Sequence, residues 1–168
     1  MSDDETAQAI DRFWQVARVA ARQSTLGGVL SESPSGTVPP PAFAFGDSPE
    51  LADELLELVL AGTKTATAEL VSVFEASGEP MPVPGDLWIV LDGAGAPRAL
   101  IRTTRVDTVP FDQVTAEFAE LEGEGPRTLE SWRAEHERYW RRNMPEGQEF
   151  STDALVVCER FALLHPKP

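Results

Sequence analysis

The chain has 168 residues, with 28 Asp and Glu against 14 Lys and Arg, and so carries a net charge of −14. This length suits one domain with an appendage, and a domain of that size buries roughly 70% of its unfolded surface. Long polyanions are gripped by neutralising their phosphates, so the charge balance favours a small or nearly neutral ligand over a long nucleic acid. Cys158 is the only cysteine and excludes an internal disulfide. With only His136 and His165 beside it, a structural zinc site is not expected. No apolar run approaches the length of a membrane span. The start Met1-Ser2-Asp3-Asp4-Glu5 is acidic where a secretory signal is basic and then apolar. A cytoplasmic protein with no membrane partner and no cofactor is therefore expected.

In chain order, Ile10, Phe13, Trp14, Ala17 and Ala21 recur at helical spacing, which predicts an amphipathic N-terminal helix over 1–23 that docks on the main domain. Residues 24–42 are rich in Gly, Ser and Pro and read as a linker, with the folded domain at 43–168. Asp47-Ser48-Pro49-Glu50 is a helix start, with Ser48 as cap and Pro49 in the first turn. Leu51, Leu55, Leu58 and Val59 form its apolar stripe, and Gly62 stops it. A strand is predicted over 64–74. Pro84-Gly85-Asp86 turns into a buried strand at 87–91, and Asp92-Gly93-Ala94-Gly95 makes a hairpin into a long strand at about 98–109. A helix over about 112–121 follows, broken by Glu122-Gly123-Glu124-Gly125-Pro126. Thr128 caps a further helix to about Asn143, and 154–164 closes as an apolar strand. No internal repeat is present. This order predicts an α+β domain around a small, mostly antiparallel sheet curled into a barrel.

The stretch Gly62-Thr63-Lys64-Thr65-Ala66-Thr67 concentrates chemistry where a helix gives way to a strand. Lysine beside threonine is either a base beside a nucleophile or an anion anchor. The bland alternative is a surface lysine among threonines chosen for β propensity. Positions 64 and 67 would face opposite sides of a regular strand, so Lys64 must belong to the turn for both to meet one ligand. Elsewhere Trp88, Trp132, Tyr139 and Trp140 could stack a base, although aromatics at helical spacing usually fill cores. His136, on the same helix, reads as an acid or base, or as a packed histidine. Arg98 and Arg102 suit phosphate, or simply solvent. Cys158 reads as inert core.

Taken together, Phe45-Gly46-Asp47-Ser48-Pro49-Glu50, Leu60-Ala61-Gly62, Lys64-Thr65-Ala66-Thr67, Pro84-Gly85-Asp86, Val109-Pro110-Phe111 and Glu122-Gly123-Glu124-Gly125 resemble the ASCH domain over about 43–164. The resemblance implies a PUA-like β-barrel flanked by helices, with a cleft beside the Gly-x-Lys-x-x-Thr turn. It also implies a role linked to RNA: binding of a nucleoside or nucleotide, or of single-stranded RNA, a ribonuclease activity in some members, and N4-acetylcytidine hydrolysis in a short branch. For that amidohydrolase branch the matching catalytic positions here are Lys64, Thr67 and Glu122, with Thr63, Thr65, Trp88, Arg98, Arg102, Trp132 and His136 as candidate substrate contacts. The short branch carries a basic residue two positions after its threonine, where this chain has Glu69, and it lacks the N-terminal helix and the Trp/His-bearing helix.

Overall fold

A computed structural model describes residues 3–23 and 38–167. Most of the predicted linker, at 24–37, lies outside the described residues. Helix α1 (Asp3–Gln23) is followed by β1 (Ala42–Phe43), α2 (Pro49–Leu60), β2 (Ala66–Leu70), α3 (Val71–Ser77), β3 (Leu87–Leu91), β4 (Pro97–Pro110), α4 (Ala116–Glu122), α5 (Leu129–Asn143) and β5 (Leu155–His165). Hydrogen bonding orders the strands β1-β3-β4-β5-β2. The β3–β4 and β2–β5 pairs are antiparallel and β1–β3 is parallel. With β1 and β2 as edges, the described strands make an open sheet, not the closed barrel expected. Periodicity specifies strands, but closure depends on whether the first and last strands meet.

The chain divides into two compact units. The first holds the described residues that fall within 1–62, 87–102 and 162–168. Its core joins Trp14, Ala17 and Ala21 of α1 to Ile89 and Leu100, so the apolar stripe docks as its spacing required. Helix α2 begins as predicted: Ser48 Oγ accepts from the Leu51 amide at 3.2 Å and Pro49 occupies the first turn. Asp92 builds the β3–β4 hairpin by accepting from the amides of Ala94 and Ala96 through Oδ1.

The second unit holds residues 63–86 and 103–161. Its core gathers Ala66, Leu70, Phe111, Phe118, Trp132, Trp140, Phe150 and Val156. Two boundaries differ from expectation here. The strand predicted over 64–74 ends at Leu70, and Val71–Ser77 coil into α3, which stops at Gly78 with φ 72°. Val73 packs on the core from a helical turn, so tertiary packing overrides the β propensity of the two valines. Helix α4 begins at Ala116, later than predicted, because Thr115 caps it by accepting from the Phe118 amide at 3.2 Å. Residues 111–113 ahead of it form only a 3-10 turn. Thr128 likewise caps α5 through the Ser131 amide. No helix among the described residues is long and apolar enough to cross a membrane.

Candidate functional site

The site forms where the segment leading into β2 meets the loop after α4, both within the second unit. The Thr65 amide donates to the Leu121 carbonyl at 2.8 Å and its hydroxyl donates to the same oxygen at 3.3 Å. The Thr65 carbonyl accepts from the Phe161 amide at 2.9 Å, so residue 65 is pinned on both sides. Gly123 ends α4 with φ 74° and approaches the same segment closely. A Cβ at Gly123 would lie 2.4 Å from the Thr63 carbonyl oxygen and 3.0 Å from the Lys64 nitrogen. Only glycine fits both the left-handed conformation and that space. Arg127 steadies the loop, its guanidinium donating twice to the Glu120 carbonyl, although its own φ is 60°.

This latch holds Lys64 inside the protein. Its side chain is 1% exposed, and Nζ donates to Glu122 Oε2 at 3.0 Å and to Glu124 Oε1 at 2.6 Å. Glu122 is equally buried, whereas Glu124 is 31% exposed and carries the cluster to the surface. Glu122 Oε1 accepts from the Trp132 indole at 2.8 Å and lies 3.4 Å from His136 Nε2. The other imidazole nitrogen, Nδ1, is 2.9 Å from the Trp132 carbonyl, which can only accept, so Nδ1 carries a proton. The His136 ring stacks on Trp132 with centroids 4.1 Å apart.

The charges follow from this geometry. Burial pushes the Lys64 ammonium toward neutrality, but the carboxylates of Glu122 and Glu124 outweigh it and raise its pKa. Burial pushes Glu122 up, and Lys64 and then His136 more than reverse that, holding it at about 2. His136 is raised as well, its burial overcome by the Glu122 charge. The centre is therefore an ammonium between two carboxylates, with the His136 imidazole, its pKa raised, beside one of them. Among the described residues no group of three or more His, Cys, Asp or Glu is placed to hold a metal ion.

Of the residues singled out from sequence, Lys64, Glu122, Trp132 and His136 come together, and Thr63 and Thr65 hold the latch. Lys64 sits in the irregular segment ahead of β2. Thr67 lies on β2 opposite Glu159 of β5. Trp88, Arg98 and Arg102 belong to the first unit. There Trp88 packs edge-on against Phe43, Arg98 pairs with Asp92 and Glu57 at the surface, and Arg102 donates to the Ala21 carbonyl at the end of α1. The arginines of α5 are engaged too: Arg138 with Glu135, Arg141 with Glu137, and Arg133 with the Asp112 carbonyl. Burial pushes the Cys158 thiol up to about 12, which keeps it protonated and unreactive.

Sequence reasoning passed over Glu124, Gly123 and Glu69. In the sequence the first two mark a helix break and belong to the motif Glu122-Gly123-Glu124-Gly125, but nothing local assigns Glu124 to the lysine as a second carboxylate. Glu69 was noted only as a departure from a basic residue. Its carboxylate accepts from the Trp140 indole at 2.9 Å and from the Leu70 amide at 2.8 Å. Burial raises its pKa despite those bonds.

Comparison with known proteins adds the following. The family model of the ASCH domain matches residues 41–165. Protein EF3133 from Enterococcus faecalis V583, of family DUF984, is similar in structure with a TM-score of 0.76 and 31% sequence identity, the match covering 94% of this chain and 88% of that one. An ASCH domain from Lactobacillus crispatus JV V101 gives a TM-score of 0.72 and 30% identity over 88% of this chain and 93% of that one. No curated protein matches the chain.

Proposed function

The chain belongs to the ASCH domain family, and from that premise we propose that it is a hydrolase of a small amide of the N4-acylcytidine type, centred on Lys64. One observation carries the reading: a fully buried ammonium is held by two carboxylates, one of which, Glu124, reaches solvent. Such an ammonium is a poor proton acceptor and a strong hydrogen-bond donor. Its task in amide hydrolysis is to hold the oxygen of the acyl group as negative charge develops there. Glu122, fixed by Trp132 and His136, positions the lysine, and the ligand takes the place of the more exposed Glu124. Thr67 supplies the nucleophile.

The paired carboxylates also rank the alternatives. An anionic phosphate would meet Glu122 and Glu124 beside the lysine, so a metal-independent ribonuclease suits the site less well than a neutral nucleoside substrate does. A module that binds a nucleoside without turning it over keeps the same contacts and lacks only the nucleophile.

The test is steady-state deacetylation of N4-acetylcytidine by the wild type and by Lys64→Met, with the folded fraction of each fixed by circular dichroism. The wild type is expected to release acetate, and folded Lys64→Met to lose on the order of 10²-fold in kcat, the cost of deleting one oxyanion donor. Absence of wild-type turnover contradicts the substrate, and binding without turnover selects the non-catalytic module. Undiminished turnover by the folded variant contradicts the role given to Lys64.

A further inference from the structure

If Lys64 is held as an ammonium, the proton of the Thr67 hydroxyl must go elsewhere. Thr67 and Glu159 are opposed partners in the antiparallel β2–β5 ladder. Directly opposed side chains leave the same face of a sheet with Cβ atoms about 5 Å apart, within reach of a threonine hydroxyl and a glutamate carboxylate. Glu159 is held in place from β4: its Oε1 accepts from the Thr103 hydroxyl at 2.5 Å. Thr103 is itself buried and fixed by backbone bonds, its amide donating to the Asp86 carbonyl and its carbonyl accepting from the Gly85 amide. All of these residues lie within the second unit. We propose that Glu159, anchored by Thr103 and standing across the ladder from Thr67, is the base that takes the Thr67 hydroxyl proton.

The inference rests on the amide-hydrolase reading and gives it the acceptor that Lys64 cannot be. In the forward step the Thr67 Oγ1 bonds to the acyl carbon and its proton passes to Glu159. When the C–N bond breaks, the departing amine takes that proton back from Glu159 and the acyl group stays on Thr67 as an ester. Water then attacks the ester, Glu159 again takes a proton, and Thr67 regains one as the carboxylic acid leaves. The surroundings suit the role. Burial raises the Glu159 pKa, the Thr103 bond opposes this, and the negative charge of Asp86 adds to it. A carboxylate of raised pKa is a better proton acceptor than an ordinary one.

The experiment is acetylation of the full chain by p-nitrophenyl acetate, located by peptide mass mapping, alongside turnover of N4-acetylcytidine. Thr67 is expected to be acetylated ahead of Thr63 and Thr65, at a rate that rises with pH through one ionisation above the usual carboxylate range. Glu159→Gln keeps an acceptor for Thr103 and is expected to lower Thr67 acetylation on the order of 10²-fold. Thr103→Val, which frees the carboxylate to wander, should give a smaller loss. Equal Thr67 labelling in wild type and Glu159→Gln overturns the assignment, and so does a wild type in which Thr67 is no more reactive than its neighbours. Glu159-dependent labelling without N4-acetylcytidine turnover upholds the base and removes the substrate. Turnover indifferent to Glu159 does the reverse.

Discussion

Two ion pairs in this molecule use the same chemistry in opposite settings. In the first unit Arg98 meets Asp92 at 3.4 Å and Glu57 at 3.9 Å with its own side chain 45% exposed. In the second, Lys64 meets Glu122 at 3.0 Å with both side chains 1% exposed. Water screens the first pair, and long side chains lose entropy to hold it, so it contributes little. The second pair is too costly to bury on stability grounds alone, because desolvation of two ions rivals their attraction. Every polar contact around it, from Trp132, His136 and Glu124, serves to make that burial tolerable. The contrast teaches that the lysine is conspicuous for its setting rather than its charge.

Breaking the buried pair should have the largest effect. Lys64→Met leaves Glu122 buried without its cation and is expected to destabilise the fold by about 3–5 kcal/mol, read from urea unfolding. Trp132→Phe deletes one hydrogen bond to the same carboxylate while keeping an aromatic ring, and about 1.5–3 kcal/mol should be lost. In Gly123→Ala the new Cβ would press on the Thr63 carbonyl, a backbone atom that cannot swing aside. With the left-handed backbone this should cost about 1–3 kcal/mol and shift the backbone signals of residues 63–65 by NMR. Arg98→Ala, by contrast, should change stability by only about 0–1 kcal/mol.

Acid sharpens the same comparison. Because the Glu122 pKa is depressed to about 2, its contribution is complete above the unfolded carboxylate value and disappears as pH falls through that range. Wild-type stability should therefore decline between roughly pH 4.3 and the folded value. Lys64→Met, lacking the cation, should show a shallower acid decline, and Arg98→Ala should follow the wild type. Parallel acid curves for wild type and Lys64→Met would separate the lysine from the Glu122 titration.

Much of this was legible in the residues. Ser48-Pro49, Gly62, Pro84-Gly85-Asp86 and Thr128 marked element ends because local hydrogen bonds and fixed φ values set them. Lys64 and Glu122 stood out through the ordered motifs. What escaped notice depended on contacts between distant segments. Glu124 reaches Lys64 only because Thr65 binds the Leu121 carbonyl and Gly123 seats against Thr63. Glu159 faces Thr67 only through the register of β2 and β5. The α3 helix and the open sheet escaped for the same reason: Val71 and Val73 look like strand, and no local signal says whether two edges meet.

The most direct measurement exploits the fact that Lys64 and Lys167 are the only lysines. Selective ¹⁵N labelling of lysine leaves two side-chain nitrogen signals, and a pH titration assigns an ionisation to each. Lys64 Nζ is predicted to remain an ammonium beyond the ordinary lysine pKa of roughly 10.4 and to exchange slowly with water. A Lys64 Nζ that loses its proton near neutral pH would contradict the charge state on which this account is built.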